Sequence, residues 1–170
     1  MTNTAILLDV DGPLNPYSAK TAPEGYTEHT MRPDSWTDPR PLKVRLNPSH
    51  GPSLASLGSE LIWATTWEAE ANEWIGPHLD LPPLTVIDWV DRDYWNNEGL
   101  YWKTKRIVSW MNKYRPGDAY IWIDDECTRK DREYIDFCSN GLGTTLQISP
   151  KYGLRDQDFE FLAAWKKKMT

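Results

Sequence analysis

Cysteine is scarce in this chain, and long hydrophobic runs are missing. The 170 residues include two cysteines, Cys127 and Cys138, whose spacing fits neither a CxxC redox pair nor a zinc-ligand cluster. We therefore expect two free thiols in a reducing cytoplasm. No segment approaches the roughly 18 consecutive apolar residues that a membrane span needs. The first residues also lack the basic and apolar regions of a signal peptide, so we expect a soluble cytoplasmic protein without a membrane partner.

Positively charged residues are also fewer than negatively charged ones. The 19 Lys and Arg residues are outnumbered by 25 Asp and Glu residues, and the net charge is -6. Such a chain lacks the broad basic surface on which proteins follow duplex DNA, so extended duplex binding is not expected. A single nucleotide or a nucleic-acid end is still a compatible partner. The sequence leaves the oligomeric state open.

Length and composition are those of one globular domain. Hydrophobic residues make up 39% and charged residues 26% of the chain, as in ordinary folded proteins. We therefore predict a single domain over residues 1–170, since 170 residues is short for two domains. Ten tryptophans are present, and packing is the default role for such large aromatic side chains.

Strand patterns alternate with helix patterns along most of the chain. Predicted strands cover 5–10, 43–46, 60–65, 84–89, 119–123 and 144–148, and predicted helices cover 48–57, 68–74, 103–114, 129–138 and 156–168. Residues 13–41 show no periodicity and predict a long loop or a small flap, with 43–46 beside or across the mouth of the first strand. The alternation favours an α/β fold in three layers, with a parallel sheet between helices.

The first strand pattern ends in two carboxylates. Residues 6–10 are apolar apart from Asp9, and Gly12 and Pro13 then indicate a turn. Residues two apart in an extended strand point to the same side, so Asp9 and Asp11 can converge. Like charges that close raise each other's pKa unless a cation intervenes, and Mg2+ prefers such oxygen ligands. The alternative is that Asp11 and Gly12 form only a turn.

Two more polar pairs follow predicted strands. Thr65 and Thr66 end the third predicted strand, and Asp124 and Asp125 follow the fifth. Ligands of parallel sheets bind outside the carboxyl ends of the strands, so these residues can share one mouth with the first pair. Asp124 and Asp125 suit one direct metal ligand and one supporting carboxylate, although they can also cap the helix that follows.

These residues supply the parts of a phosphoryl-transfer site. Asp9 can attack phosphorus and form an aspartyl phosphate, and Asp11 can protonate the leaving oxygen and then activate water. Thr65 can donate its hydroxyl to a phosphoryl oxygen. Lys103 begins a predicted helix, where the dipole disfavours a cation, so an anionic neighbour is expected. The alternative is a solvated lysine, in which case Lys105 takes the phosphate-binding role.

In this order, the motifs resemble those of the haloacid dehalogenase (HAD) superfamily. The resemblance rests on Asp9-Val-Asp11-Gly, then Thr65, Lys103 and Asp124-Asp125, and it implies a Rossmann-like sheet of order 5-4-1-2-3. It implies Mg2+ held by the Asp9 side chain, the Asp11 backbone carbonyl and Asp125, with Asp124 in support. The carbon-halogen members lack the second Asp, so Asp11 implies phosphatase chemistry.

The spacing of the motifs leaves little room for a cap domain. We therefore predict a minimal or absent cap and an open site for a nucleotide, a nucleic-acid end or a phosphoprotein. Four tryptophans flank the motifs, at Trp36, Trp67, Trp95 and Trp102. They either pack or stack on a base.

Two non-enzymatic alternatives are compatible with parts of this pattern. Receiver domains also gather Asp, Thr and Lys at the edge of a parallel sheet, but their acidic pair comes first, whereas the doublet here comes late. A phosphorylatable or catalytically silent HAD-fold module is the other alternative. The lifetime of an aspartyl phosphate would separate an enzyme from a switch.

Overall fold

A five-stranded sheet organises the chain in a computed structural model that describes residues 3–89 and 98–169. The strands are β1 Thr4–Leu8, β2 Thr27–Met31, β3 Leu42–Leu46, β4 Glu60–Trp63, β5 Thr85–Val86, β6 Ala119–Asp124 and β7 Gly143–Gln147. The helices are α1 His50–Ser56, α2 Glu70–Trp74, α3 Thr104–Tyr114, α4 Arg129–Cys138 and α5 Asp156–Met169, with a short 3-10 helix at Gly76–Leu79. Within the described ranges, no helix has both the length and the apolar character needed to cross a membrane.

The main sheet is parallel and runs in the order β5-β4-β1-β6-β7. If these strands are numbered among themselves and read from the β7 edge, the order is 5-4-1-2-3. The predicted Rossmann-like α/β fold is therefore confirmed. The central strands β1 and β6 are buried along their whole length, as expected for continuous apolar runs covered on both faces.

Helices cover both faces of this sheet. Ile6 and Leu8 of β1 lie in a core cluster with Leu162 of α5, whereas Leu7 lies in a second cluster with Ile107 of α3. Successive strand residues point to opposite faces, so one strand contributes to both clusters. The sheet is thus the middle of three layers, and its strand ends are rigidly placed.

The interval between β1 and α1 differs from the sequence-based expectation. Residues 16–46, called here the insertion, contain β2 as well as β3, and the two strands pair antiparallel in a separate two-stranded sheet. The sequence analysis missed β2 because most of its residues are polar and exposed. Val44 and Leu46 of β3 join the core cluster beside β1, so the insertion is anchored to the main sheet by apolar contacts.

One predicted strand is much shorter in the structure than its sequence pattern. The predicted strand at 84–89 forms only the two-residue β5. The Ile87 amide still donates a hydrogen bond to the Trp63 carbonyl of β4, at 2.9 Å. Residues 91–97 of the predicted loop lie outside the described residues. Both cysteines are free thiols, and Cys127 is buried.

Candidate active site

Three central strands deliver polar side chains to one edge of the sheet. Asp9 follows the end of β1, Asp124 is the last residue of β6, and Thr65 lies just beyond β4. These strands are neighbours in the order β4-β1-β6. The carboxyl ends of adjacent parallel strands meet at the same edge, which is where α/β folds bind ligands. The residues predicted from separate motifs are thus brought together.

A buried lysine joins two of these carboxylates. The Nζ atom of Lys103 lies 2.9 Å from Oδ2 of Asp9 and 2.8 Å from Oδ2 of Asp124. Lys103 is 1% exposed and Asp124 is fully buried. Lys103 immediately precedes α3, and these carboxylates are the anionic neighbours expected for a cation at that position. Lys105 is only half-buried and is not among the residues that line the cavity described below.

Burial strongly affects the protonation of this cluster. Burial raises the pKa of Asp9 above its ordinary value, and the Lys103 ammonium only partly offsets the increase. Burial also raises the pKa of Asp124 to about 7. Burial alone would lower the pKa of Lys103, but Asp9 and Asp124 outweigh it and raise that pKa. One ammonium therefore pairs with two buried carboxylates, and a second cation nearby would favour their ionised forms.

The carboxylates of Asp9, Asp124 and Asp125 form an acidic triad that can bind a metal. One oxygen from each lies within 4.8 Å of the others. A set of carboxylate oxygens suits a hard divalent ion such as Mg2+. Gly12 creates space for Asp125, because a Cβ at Gly12 would lie 2.6 Å from the Asp125 Cβ. This set of three carboxylates thus fits the Mg2+ that the sequence analysis predicts.

Asp11 is held by two hydrogen bonds that fix both oxygens of its carboxylate. The Asn15 side-chain amide donates to Oδ1 at 2.8 Å, and the Trp67 indole Nε1–H donates to Oδ2 at 3.0 Å. Asn15 in turn accepts a hydrogen bond from the Arg45 backbone amide of β3 at 3.0 Å. Asp11 is therefore positioned both by the main sheet and by the insertion. Sequence reasoning missed Asn15 and Trp67 as partners of Asp11.

Thr65 lies beneath Asp9 and is fully buried. A hydrogen bond from the Thr65 side chain to Asp9 lowers the pKa of that carboxyl. The Thr65 hydroxyl also accepts a hydrogen bond from the Trp67 amide at 3.3 Å, and its carbonyl accepts one from the Trp89 indole at 2.8 Å. Its exposed neighbour Thr66 is the residue that lines the cavity. Thr65 therefore contacts the candidate nucleophile directly.

A cavity of about 490 Å3 opens above these side chains. We call its lining residues Asp9, Asp11 and Lys103 the floor, and its lining residues from the insertion the wall. The apolar and aromatic members of that wall are Tyr17, Pro33, Trp36, Leu42 and Val44. A volume of roughly 300–1,000 Å3 is typical of sites that enclose a small organic ligand. The cavity can thus hold more than a phosphoryl group.

Comparison with known families identifies the family of this chain. A family model described as the HAD domain in Swiss Army Knife RNA repair proteins matches residues 5–159. The chain belongs to this family. No curated protein and no solved structure matches the sequence. The match spans the strand-end cluster and the insertion, so the protein is a HAD domain with a phosphoesterase-like hydrolase site.

The tryptophans near the site of this HAD domain have different environments. Trp36 lines the cavity and is 37% exposed. Trp67 is 7% exposed and binds Asp11, whereas Trp102 packs against Trp89 with ring centroids 5.1 Å apart. Trp95 lies outside the described residues. Trp67 lines the cavity too, but at 37% exposure Trp36 offers a ligand far more indole surface there than Trp67 does.

Proposed function

We propose that this HAD domain is a Mg2+-dependent phosphomonoesterase that acts through an aspartyl phosphate on a nucleotide or the end of a nucleic acid. The observation that carries the proposal is the position of Asp9. Its carboxylate lies at the floor of the cavity, 2.9 Å from the Lys103 ammonium. Asp11 lines the same cavity two residues further along the chain. A nucleophile, a cation and an acid therefore face one volume.

In the first half-reaction, an Asp9 oxygen forms a bond to phosphorus while the bond from phosphorus to the leaving oxygen breaks. Asp11 donates its proton to that oxygen, which leaves as a hydroxyl. Lys103 stays protonated, because two buried carboxylates raise its pKa. Its charge offsets the negative charge that develops on the phosphoryl oxygens.

In the second half-reaction, a water molecule attacks the phosphorus of the aspartyl phosphate. Asp11 accepts a proton from this water, the bond between phosphorus and the Asp9 oxygen breaks, and inorganic phosphate is released. The hydrogen bonds from Asn15 and Trp67 hold the Asp11 carboxylate in place. The same side chain thus acts as acid and then as base without a change of position.

In this proposal, Mg2+ would be held by the Asp9 carboxylate, the backbone carbonyl of Asp11 and the Asp125 carboxylate. Asp124 would support these ligands. Both oxygens of Asp124 already have partners, Lys103 on Oδ2 and the Glu126 amide on Oδ1. The Tyr17 hydroxyl donates to Oδ2 of Asp125. Asp125 lines the cavity, whereas Asp124 is fully buried behind it, which favours Asp125 as the direct ligand. Bound Mg2+ would neutralise charge on the phosphoryl group.

The nature of the substrate is inferred from the family and from charge. The matching family consists of HAD domains in RNA repair proteins, which favours a phosphorylated RNA end as the substrate. The net charge of -6 disfavours an extended duplex. The cavity accepts a ligand of nucleotide size. A phosphorylatable or catalytically silent module remains the competing interpretation.

Phosphate release tests the proposal. The substrates are an aryl phosphate, mononucleotides, sugar phosphates, a phosphopeptide, and oligoribonucleotides with a 3'- or 5'-phosphate, each with Mg2+ or EDTA. We expect Mg2+-dependent release that falls by at least about a thousandfold in Asp9→Asn, because the nucleophile is lost. The control is Asp136→Asn, which removes the same charge from an exposed position on α4.

Three results would contradict this function. Unchanged turnover in Asp9→Asn would exclude Asp9 as the nucleophile, and full activity in EDTA would exclude the metal dependence. A protein that becomes phosphorylated on Asp9 but keeps the phosphoryl group for hours, without turnover, would be a switch. An acid-quench measurement of the phosphoenzyme after one turnover distinguishes these cases.

A further inference from the structure

Most residues of the wall are apolar or aromatic. The wall comes from the insertion and includes Trp36, Leu42 and Val44. Trp36 is 37% exposed, and the Tyr17 ring at the same cavity is 54% exposed. The floor residues already account for binding of a phosphoryl group. Apart from Tyr17, which donates a hydrogen bond to Asp125, the wall has no role in the chemistry proposed above. It must contact the part of the substrate that is not phosphate.

Trp36 is held in place before any ligand arrives. Its indole Nε1–H donates to the Arg40 carbonyl at 2.7 Å, and its amide donates to the Pro33 carbonyl at 3.0 Å. The adjacent Ser35 donates its amide to Glu70 of α2 at 3.1 Å, and its hydroxyl binds the same carboxylate. A ring that is already ordered loses little conformational entropy when a ligand binds.

The charges around the cavity oppose a long polyanion. Among the described lining residues, four are carboxylates (Asp9, Asp11, Asp125, Glu126) and two are cations (Lys43, Lys103). Lys103 is paired with Asp9 and Asp124, and Lys43 lies 3.0 Å from Glu28. A groove that follows a nucleic-acid backbone needs many cations. This cavity is suited to one phosphoryl group beside an uncharged, flat ligand surface.

We propose that the insertion forms a base-binding subsite, in which Trp36 stacks on the base of the terminal nucleotide that carries the phosphate. The proposal rests on the phosphomonoesterase function above and specifies its substrate. The site recognises one phosphorylated nucleotide through its base and its phosphate, and it does not follow the strand beyond that unit. A planar aromatic ring is sequence-tolerant, so all bases are accepted.

A nucleobase fits this wall better than a peptide. A base is planar, carries no charge and matches the exposed indole surface of Trp36. A phosphopeptide would place its backbone groups against Pro33, Leu42 and Val44, whose apolar side chains cannot donate hydrogen bonds. Phosphopeptides are therefore included in the test as the competing class.

The first experiment compares kcat/KM for adenosine 3'- and 5'-monophosphate with that for ribose 5-phosphate, which lacks the base. We expect Trp36→Ala to lower kcat/KM for the preferred nucleotide by roughly 10-fold to 100-fold, mainly through KM, because base stacking is lost. Turnover of ribose 5-phosphate should change little. Trp36→Phe should retain most of the nucleotide activity. Phe161→Ala, at an exposed aromatic residue of α5 outside the cavity lining, is the matched control.

The second experiment varies substrate length and salt. A terminally phosphorylated hexaribonucleotide should match the corresponding mononucleotide in kcat/KM within about threefold, because only one unit contacts the wall. The salt dependence for single strands has a slope of about -0.7 per contacted phosphate. We therefore expect the same shallow slope for both substrates, and a much steeper slope for the hexamer would overturn the one-nucleotide model.

Binding without turnover separates failure of this subsite from failure of the enzyme. Calorimetry of the preferred nucleotide with Asp9→Asn, and with the same variant carrying Trp36→Ala, measures the subsite directly. If nucleotides are hydrolysed but Trp36→Ala changes neither KM nor binding, the subsite is wrong and the phosphatase stands. If nothing is hydrolysed but Trp36→Ala weakens nucleotide binding, the phosphatase is wrong and the subsite stands. A preference for the phosphopeptide would overturn the base-binding subsite.

Discussion

The floor and the wall of the cavity are built by different means. On the floor, Asp9 and Lys103 are 5% and 1% exposed. Asp9 follows the end of a strand of the parallel sheet, and Lys103 is paired with it. On the wall, Trp36 is 37% exposed and is positioned by hydrogen bonds between exposed groups, such as Ser35 with Glu70. The floor is strongly coupled to folding, whereas the wall can change without loss of the sheet.

This difference assigns the two parts of the cavity to different tasks. Phosphoryl transfer requires groups that do not move, and the buried floor provides them. Recognition of a substrate requires surface that can vary, and an insertion between two core elements provides that. Substitutions on the floor should therefore affect stability and turnover together, whereas substitutions at exposed residues of the wall such as Trp36 should affect substrate preference alone.

The largest expected effect comes from removing the cation of the floor. Lys103→Met should lower the free energy of unfolding by about 3–5 kcal/mol without added metal, because Asp9 and Asp124 stay buried without their ammonium. Urea denaturation in EDTA measures this. The half-buried neighbour Lys105 provides the control, and Lys105→Met should change stability by about 0.5 kcal/mol or less. Equal losses of unfolding free energy in both variants would show that the pairing of Lys103 with the two buried carboxylates does not stabilise the fold.

The second effect concerns the space behind the acidic triad. Gly12 has φ +98°, and a Cβ there would collide with Asp125 at 2.6 Å. Gly12→Ala should lower Mg2+ affinity by roughly 10-fold to 100-fold, because a metal-binding carboxylate is displaced. Gly117 has a similar φ of +86° with nothing within 4 Å, so Gly117→Ala includes the backbone strain without the collision. Titration calorimetry with Mg2+ compares the variants, and an equal loss of affinity in both would contradict the role given to Gly12.

The third effect is a pH dependence of stability that arises where the insertion meets the core. His50 is 4% exposed, and its ring lies between Tyr26 of the insertion and Phe159 of α5. Burial lowers the pKa of His50 from 6.5 to about 4. The unfolded chain therefore binds the proton more tightly, and this contribution to stability falls as the pH drops from about 6.5 toward 4.

His50→Leu should remove that pH dependence. Between pH 7.5 and pH 5, the wild-type protein should lose about 2 kcal/mol more stability than the variant does. Urea denaturation at several pH values measures the difference, and the carboxylates common to both proteins cancel in the comparison. Parallel stability curves for the two proteins would show that His50 is not a buried neutral side chain.

The smallest effect is expected on the wall. Glu70→Ala removes the acceptor of the Ser35 hydrogen bonds and should raise KM for nucleotides by about fivefold or less, because one hydrogen-bonded contact of roughly 1 kcal/mol is lost. Turnover of ribose 5-phosphate should stay the same. Glu73→Ala, at an exposed position of the same helix, is the control. A large loss of stability in Glu70→Ala would contradict the separation of wall and floor.

The floor was predictable because its residues follow strong local patterns. Apolar runs identify β1, β4 and β6, and parallel strands place their carboxyl ends at one edge. The positions of Asp9, Thr65 and Asp124 after these runs were therefore enough to bring them together. Lys103 could be preferred over Lys105 only as a hypothesis, since the choice depends on which side chain turns toward the buried carboxylates.

The wall was only partly predictable from local patterns: the strand predicted at 43–46 forms as β3 Leu42–Leu46, but its partner strand was missed. β2 has polar, exposed residues and exists because β3 pairs with it. The partner of Asp11, Trp67, lies 56 residues away in the chain, and its indole was interpreted only as a packing or stacking ring. Such contacts depend on tertiary geometry that no sequence period encodes.

By itself, the sequence determined the alternation of strands and helices, the parallel sheet and the strand ends at which acidic, hydroxyl and ammonium groups appear. Periodic burial of apolar residues is a local property, so it can be recognised without a structure. Only the tertiary structure decided that Lys103 joins Asp9 and Asp124, that Trp67 and Asn15 hold Asp11, and that Trp36 faces the cavity. Those contacts join segments that are distant in the chain, and their geometry is set by how the layers pack.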